Sequence, residues 1–203
     1  MALPDMTERV YVFKGFERFW HWTQAALVIF MMLSGFEIHG SVRLLGFERA
    51  VQLHTLAAWS LVGLWVFAVF WHATTGEWRH YIPTFDKFRQ MLRYYAWGIF
   101  QHEPHPFRPT AANKHNPLQR LTYLLVLVLV SPLIWISGWL YLFYGDWAAW
   151  GLNSLGLEWV AAAHTAGAYL MLAFVITHLY MATTGPTLLS QTRAMVTGWE
   201  ELH

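Results

Sequence analysis

From residue 159 to residue 181 the chain runs without a single Asp, Glu, Lys or Arg. A helix needs roughly 20 mostly apolar residues to cross the hydrocarbon of a bilayer. Three other stretches have the same character, and the four lie at about 19–38, 51–73, 118–143 and 158–182. A backbone in lipid must satisfy its own hydrogen bonds, so such stretches fold as helices. The expected fold is therefore all-α, an integral membrane four-helix bundle forming one domain over residues 1–203. Composition agrees, with 12% charged residues, where a soluble domain carries about 25%. The 13 tryptophans are also of the kind that gathers at membrane–water interfaces.

The first stretch follows Glu8, Arg9, Lys14, Glu17 and Arg18 and has no small-residue cleavage site, so it reads as a retained span rather than a signal peptide. Cysteine is absent. Disulfides, thiolate-held iron–sulfur clusters and thioether-attached haem are thereby excluded. Basic residues set the orientation. Arg9, Lys14, Arg18, Arg79, Lys87, Arg89, Arg93, Arg108, Lys114, Arg120 and Arg193 fall on one side, and Arg43 and Arg49 on the other. The positive-inside rule then puts both termini and the middle loop, residues 74–117, in the cytoplasm. A net charge of +1 and the lack of a basic stripe give no sign of nucleic acid.

Within the middle loop, Phe85, Phe88, Leu92, Tyr95 and Ile99 share one helical face, with Lys87, Arg89 and Arg93 off it. That pattern suits an interfacial amphipathic helix on the inner leaflet, or equally a helix packed on the bundle. The segment after it, "EPHPFRPTAANKHNP", has four prolines and is expected to be irregular.

Histidines inside the spans carry the functional argument, because an ionisable group at membrane depth is costly and faces an interior. His164 and His178 lie fourteen residues apart. On a helix they share a face within about 40° and stand roughly 21 Å apart along the axis. His54 on the second span is level with His164, and His21 on the first is level with His178. Two cross-helix imidazole pairs result, one per leaflet. Such pairs suit iron held from both faces of a flat macrocycle in a bundle core. Zinc fits less well, since it wants four convergent ligands. Gly35, at the depth of His54, and Gly167, one turn from His164, offer room for a cofactor or serve ordinary helix packing. His72 faces the same way as His54 at the inner end of its span. It can replace His21 as partner of His178, line a quinone pocket or reach interfacial water. His39, His80, His102, His105, His115 and His203 fall outside the spans and are expected at solvated surfaces.

"RFWHW" at the first span, "HTLAAWSL" in the second, "TTGEWRHYIP" after it and the paired histidines of the last span resemble a bacterial di-haem b-type cytochrome family. That family includes the membrane subunits of nickel–iron hydrogenase, thiosulfate reductase and formate dehydrogenase. "EPHPFRPT" and "NKHNPLQRLTYL" resemble the thiosulfate-reductase-like branch, and the likeness spans residues 9–185. It implies a four-helix bundle in the bacterial inner membrane holding two non-covalent b haems, each with two histidine ligands. Carried over by position, His21 and His178 hold the cytoplasmic-side haem, and His54 and His164 the periplasmic-side haem. His72 departs from the hydrogenase-type pattern, and no fifth span is evident.

The expected function is electron transfer across the membrane between the quinone pool and a periplasmic reductase, dehydrogenase or c-type cytochrome. Arg18, Arg79 and Arg43 are candidate propionate neighbours; positive-inside anchoring explains the first two equally well. For the quinone, His72, Glu77, Lys114 and Asn116 are candidates on one side, Glu37 and His39 on the other. A histidine-lined metal or proton transporter would want acidic groups or broken helices at mid-membrane. The span centres offer only Pro132, which is expected to kink the third span. A cofactor-free anchor of a redox complex is the other alternative.

Overall fold

The computed structural model describes residues 8–101, 103–107, 110 and 113–202, with Glu8 and Leu202 as backbone only. Three residues named above, His102, Arg108 and His203, lie outside the described set. In chain order the elements are β1 (Glu8–Tyr11), α1 (Gly15–Ile38), α2 (Phe47–Thr75), α3 (Phe88–Ala96), α4 (Pro117–Leu125), α5 (Ser131–Leu142), α6 (Leu157–Ala182), α7 (Ser190–Thr197) and β2 (Trp199–Leu202). Short 3-10 turns occupy Glu77–Tyr81, Gly98–Gln101 and Tyr144–Asp146.

Among the described residues four helical stretches are long and apolar enough to cross a membrane: Gly15–Ile38, Phe47–Thr75, Pro117–Leu142 and Leu157–Ala182. The third is not a plain α-helix. A π-helical turn, Val126–Val130, joins α4 to α5, and the Ser131 amide reaches back to the Val126 carbonyl. Pro132 has no N–H and its ring would press on the carbonyl four residues back, so widening the turn accommodates it. The expected kink site is thus a π-turn ending just ahead of the proline.

The chain divides into two compact units. One contains β1, α1, α2, α7, β2 and Lys114; the other contains α3, α4, α5 and α6 as far as Met181. In the first unit α1 packs along α2. Ala57, Leu61 and Ala68 are buried on α2, while Val66, Phe67, Val69 and Phe70 are exposed. Alanines turned inward and a run of large apolar side chains turned outward suit a helix that faces lipid. Trp65 Nε1 donates to Gln24 Oε1 at 3.0 Å, tying the two helices together in their apolar middle.

The first unit also holds a feature the sequence did not suggest. β1 and β2 pair antiparallel, with Tyr11 opposite Trp199 and Arg9 opposite Glu201. Arg9 bonds Glu201 at 2.9 Å, and the rings of Tyr11 and Trp199 lie 5.1 Å apart. Gly198 makes the ribbon possible. It closes α7 at φ +90, where its carbonyl accepts from the amides of Val12 and Phe13. A Cβ there would sit 2.7 Å from the Phe13 carbonyl oxygen, in a backbone conformation that favours glycine.

In the second unit α3 is shorter than the amphipathic pattern suggests. Lys87, at φ 56, starts it and Trp97 ends it. Met91 and Tyr94 are buried, while Phe85 and Leu92 on the expected apolar face are exposed. α4 opens with a reciprocal cap. Asn116 Oδ1 accepts from the Gln119 amide, and Gln119 Oε1 accepts from the Asn116 amide, each at 2.9 Å. Pro117 follows at the first helical position.

Candidate functional site

His54 stands on α2 with its Nδ1 2.9 Å from the hydroxyl of Ser34 on α1. That hydroxyl also reaches the Phe30 and Met31 carbonyls of its own helix at 2.9 and 3.2 Å. An imidazole that ligates through Nε2 carries its proton on Nδ1, and the hydroxyl can accept that proton while donating to a helix carbonyl. The second unit repeats the arrangement on other helices. His164 of α6 has Nδ1 3.0 Å from the hydroxyl of Ser137 on α5, and Ser137 donates to the Leu133 carbonyl. The Ile134 carbonyl also lies 3.2 Å from His164 Nδ1. A carbonyl only accepts, so at His164 the proton is on Nδ1.

A glycine follows each serine. A Cβ on Gly35 would lie 3.7 Å from His54 Cε1, and one on Gly138 would lie 3.3 Å from His164 Cε1. Gly167 serves a different end. A Cβ there would meet Ile134 Cγ1 at 2.6 Å, so Gly167 lets α6 approach α5 and is a packing glycine.

His72 is anchored in the same sense. Its Nδ1 donates to the Ala68 carbonyl at 2.7 Å, and its Nε2 is buried without a hydrogen-bond partner. The rings of Trp20, Trp71 and Tyr81 stand edge-on to it at 5.1, 5.0 and 5.3 Å. Trp20 Nε1 is likewise buried without a partner. His21 is half-buried on α1 with Trp22 edge-on at 5.1 Å. His178 is half-buried on α6 and stacks on Phe174 one turn earlier at 5.7 Å.

The three arginines have different surroundings. Arg18 Nη1 donates to the Val196 carbonyl at 2.6 Å, in the last turn of α7, while its Nε is buried without a partner. Arg79 is exposed and lies 5.8 Å over the Trp78 ring. Arg43 is exposed in the turn between α1 and α2.

Most of the other groups named for a quinone are committed to structure. Lys114 Nζ reaches both oxygens of Glu17 at 2.9 Å and Glu77 Oε2 at 2.7 Å. Lys14 Nζ holds Glu77 Oε1 at 2.6 Å, and His80 Nε2 lies 3.3 Å from Glu77 Oε2. Burial pushes the Glu77 carboxyl up, but the hydrogen bonds from Lys114 and Lys14 outweigh it and bring it down to about 2. The Glu77 hydrogen bond likewise raises Lys14 above its usual value, against a smaller desolvation effect. Two carboxylates face two ammonium groups, so the charges balance within the chain. Asn116 is the helix cap described above and also donates to Tyr95 at 3.3 Å.

At the other end Glu37, 6% exposed, takes the amides of Leu44, Leu45 and Gly46 on one oxygen at 2.9, 2.5 and 2.7 Å. It is the anchor of the turn entering α2. His39 is exposed as expected. His115 is not: it is 7% exposed, because the lead into α4 packs its ring edge-on to Tyr123. His105 packs against Tyr94 and Tyr95 rather than standing in solvent. His80 sits on the Glu77 carboxylate for the same reason of local packing.

Sequence reasoning missed Ser34, Ser137 and Gly138. Their signal was there: a Ser–Gly step recurs in the first and third spans, as "LSGF" and "ISGW". The donors fit haem iron, since neutral imidazoles with Nδ1–H engaged present Nε2 as a ligand. Among the described residues no three His, Asp or Glu side chains converge as a closed metal site requires.

Comparison with known proteins points the same way. The profile of a family described as prokaryotic cytochrome b561 matches residues 12–198. YdhU of Escherichia coli K12, a protein named as a cytochrome, is 31% identical over 204 residues, covering 98% of this chain and 77% of its own. A Cupriavidus necator H16 protein named as the B-type cytochrome subunit of a Ni/Fe-hydrogenase is 24% identical over 211 residues, covering 90% of this chain and 82% of its own. No solved structure matches.

Proposed function

The chain belongs to the prokaryotic cytochrome b561 family, and from that premise we propose a di-haem cytochrome that carries electrons across the membrane between the quinone pool and a periplasmic redox partner. Membership alone makes it a membrane electron-transfer protein that binds b-type haem. The finer reading assigns His54 and His164 to one haem and His21 and His178 to the other. The bound group supplies a one-electron iron couple. The chain supplies ligands, spacing and an apolar shell that tunes the potential.

What supports this reading is the serine engagement common to His54 and His164, which suits rings that carry their proton on Nδ1 and offer Nε2 as the ligand. Arg18, Arg43 and Arg79 are assigned as propionate neighbours. The quinone headgroup is assigned to His72 and Trp20. With Glu77, Lys114 and Asn116 committed elsewhere, these two rings offer a buried acceptor and a buried donor 5.1 Å apart. His72 Nε2 accepts from a quinol hydroxyl, and Trp20 Nε1 donates to a quinone carbonyl.

Antiparallel pairing of β1 with β2 supports both termini lying on one side. The basic residues favour the cytoplasmic side of a bacterial inner membrane. The exposed apolar side of α3 then rests on that leaflet. The relative named as a hydrogenase subunit supports a membrane redox complex as the setting. The partner is a reductase, dehydrogenase or c-type cytochrome.

A reduced-minus-oxidised spectrum of the purified protein should show a b-type signal, and pyridine haemochrome analysis two haems per chain. His164→Ala removes one haem and His178→Ala the other. Both haems surviving in either variant would overturn the ligand assignment. His72→Ala and Trp20→Phe keep both haems and slow reduction by quinol. Loss of a haem in His72→Ala would instead make His72 the iron ligand in place of His21.

A further inference from the structure

Ser34–Gly35 and Ser137–Gly138 are the same dipeptide in two different spans, and each faces a histidine of the span that follows. The likeness extends to atoms. In both, the serine hydroxyl lies 2.9–3.0 Å from the imidazole Nδ1 and donates to the carbonyl four residues back. In both, the glycine underlies the ring Cε1, at 3.7 and 3.3 Å from where a Cβ would stand. Ser34 and Ser137 are themselves buried, at 3% and 4% exposure.

We propose that these two Ser–Gly steps are twin seats for the axial imidazoles of one haem, and that the serines lower its reduction potential. The inference rests on the assignment of His54 and His164 as ligands of the same iron. A hydrogen-bond acceptor at Nδ1–H makes Nε2 more basic and favours the oxidised, more positive metal. The serine is well suited to this. Its own proton is drawn toward the helix carbonyl, which enriches the oxygen that faces the imidazole. The glycine does the remaining work of admitting the ring against the helix backbone. Ser34 and Ser137 are positioning residues and touch no reacting atom.

His164 Nδ1 also has the Ile134 carbonyl at 3.2 Å beside Ser137. The two seats differ at their glycines. Gly138→Ala meets His164 at a distance tighter than ordinary contact, while Gly35→Ala meets His54 at an ordinary one.

The test is an optical redox titration of the purified protein with its haems, which follows both haems separately. Ser34→Ala should raise the potential of the haem that His164→Ala removes, by about tenfold in the equilibrium constant, or about 59 mV for a one-electron couple. The other haem should not move. Ser137→Ala should raise the potential of the same haem, and Ser34→Thr, which keeps the hydroxyl, should retain the wild-type value. Loss of that haem alone in Ser34→Ala, with the other intact, also supports the seat. An unchanged potential with both haems present overturns it, as does an equal shift of both haems. If His164→Ala and His54→Ala each leave two haems, the ligand assignment fails first and the seat falls with it.

Discussion

Near the start of α1, Glu17 and Glu77 are buried against Lys114 and Lys14, and every charge in the set is answered by another from the same chain. Further along the same helix, the Ser34 hydroxyl meets one nitrogen of His54, Nδ1, at 2.9 Å. Both sites bury polar atoms in an apolar protein, and both use hydrogen bonds from neighbouring helices or loops. The first set is complete as drawn. The second seats an imidazole against a serine hydroxyl. A closed set stabilises the fold, while an oriented nitrogen is what a ligand requires. On this comparison Glu77 and Lys114 leave the list of quinone contacts, although their residue types alone had suggested them.

The sharpest way to break the comparison is to open the closed set. Lys114→Met keeps most of the length of the side chain and removes the charge, leaving Glu17 and Glu77 buried without the ammonium that joins them. Removing one partner of a buried ion pair costs about 3–5 kcal/mol. Lys14→Met should cost far less, because its side chain is half exposed and solvent screens that pair. Thermal unfolding in detergent should separate the two variants clearly. Equal, small losses would show that the set is not closed and would return Glu77 to the candidates for quinone or proton chemistry.

Acid sharpens the same point. The Glu77 carboxyl titrates near 2 in the folded chain, whereas an unfolded carboxylate of this kind titrates near 4.5. Below about pH 4.5 the unfolded chain takes up a proton that the folded one refuses. The stabilisation is therefore complete above that pH and is lost as pH falls toward 2. Lys14 acts in the opposite sense. Its folded value is raised, so its contribution holds at neutral pH and is lost only as pH rises past the usual lysine range. Stability measured by denaturant unfolding should fall along the acid limb, and Glu77→Gln should flatten that limb. In Lys114→Met the limb should also flatten, since the larger of the two hydrogen bonds that hold the Glu77 carboxyl down is gone.

The long elements were legible because lipid leaves the backbone few choices. The second and fourth expected spans differ from α2 and α6 by a few residues at the ends, and α1 begins four residues early because Gly15–Arg18 is helical though polar. Positions of the histidines along their helices followed directly. What surrounds them did not. Whether Ser34 meets His54 depends on the rotation of one helix against another, which periodicity does not fix. The Lys114–Glu17 contact joins residues 97 apart, and the Arg9–Glu201 contact joins residues 192 apart. Pairings of that range carry no local pattern. The charged residues were therefore read as separate candidates when they form one set, and the β-ribbon went unseen between two segments that each look like polar tails.

The smallest effect expected lies where α1 meets α7. Trp22 Nε1 donates to the Met195 carbonyl at 3.2 Å, and Arg18, one turn earlier on the same face, donates to the Val196 carbonyl. The last carbonyls of a helix have no partner within it, so two donors from α1 close the end of α7. Trp22→Phe keeps the ring and removes the donor. The site is exposed, so water can take its place, and the loss should be about 0.5–1.5 kcal/mol. The readout is local: proteolysis or hydrogen exchange across α7 and β2 should quicken, while the haem spectrum and the unfolding midpoint of the spans stay as they were. If the spectrum shifts instead, the end of α7 is coupled to His21, the residue next to Trp22 on α1. The division between structural and ligand-holding polar groups would then fail at the place where the two lie nearest in sequence.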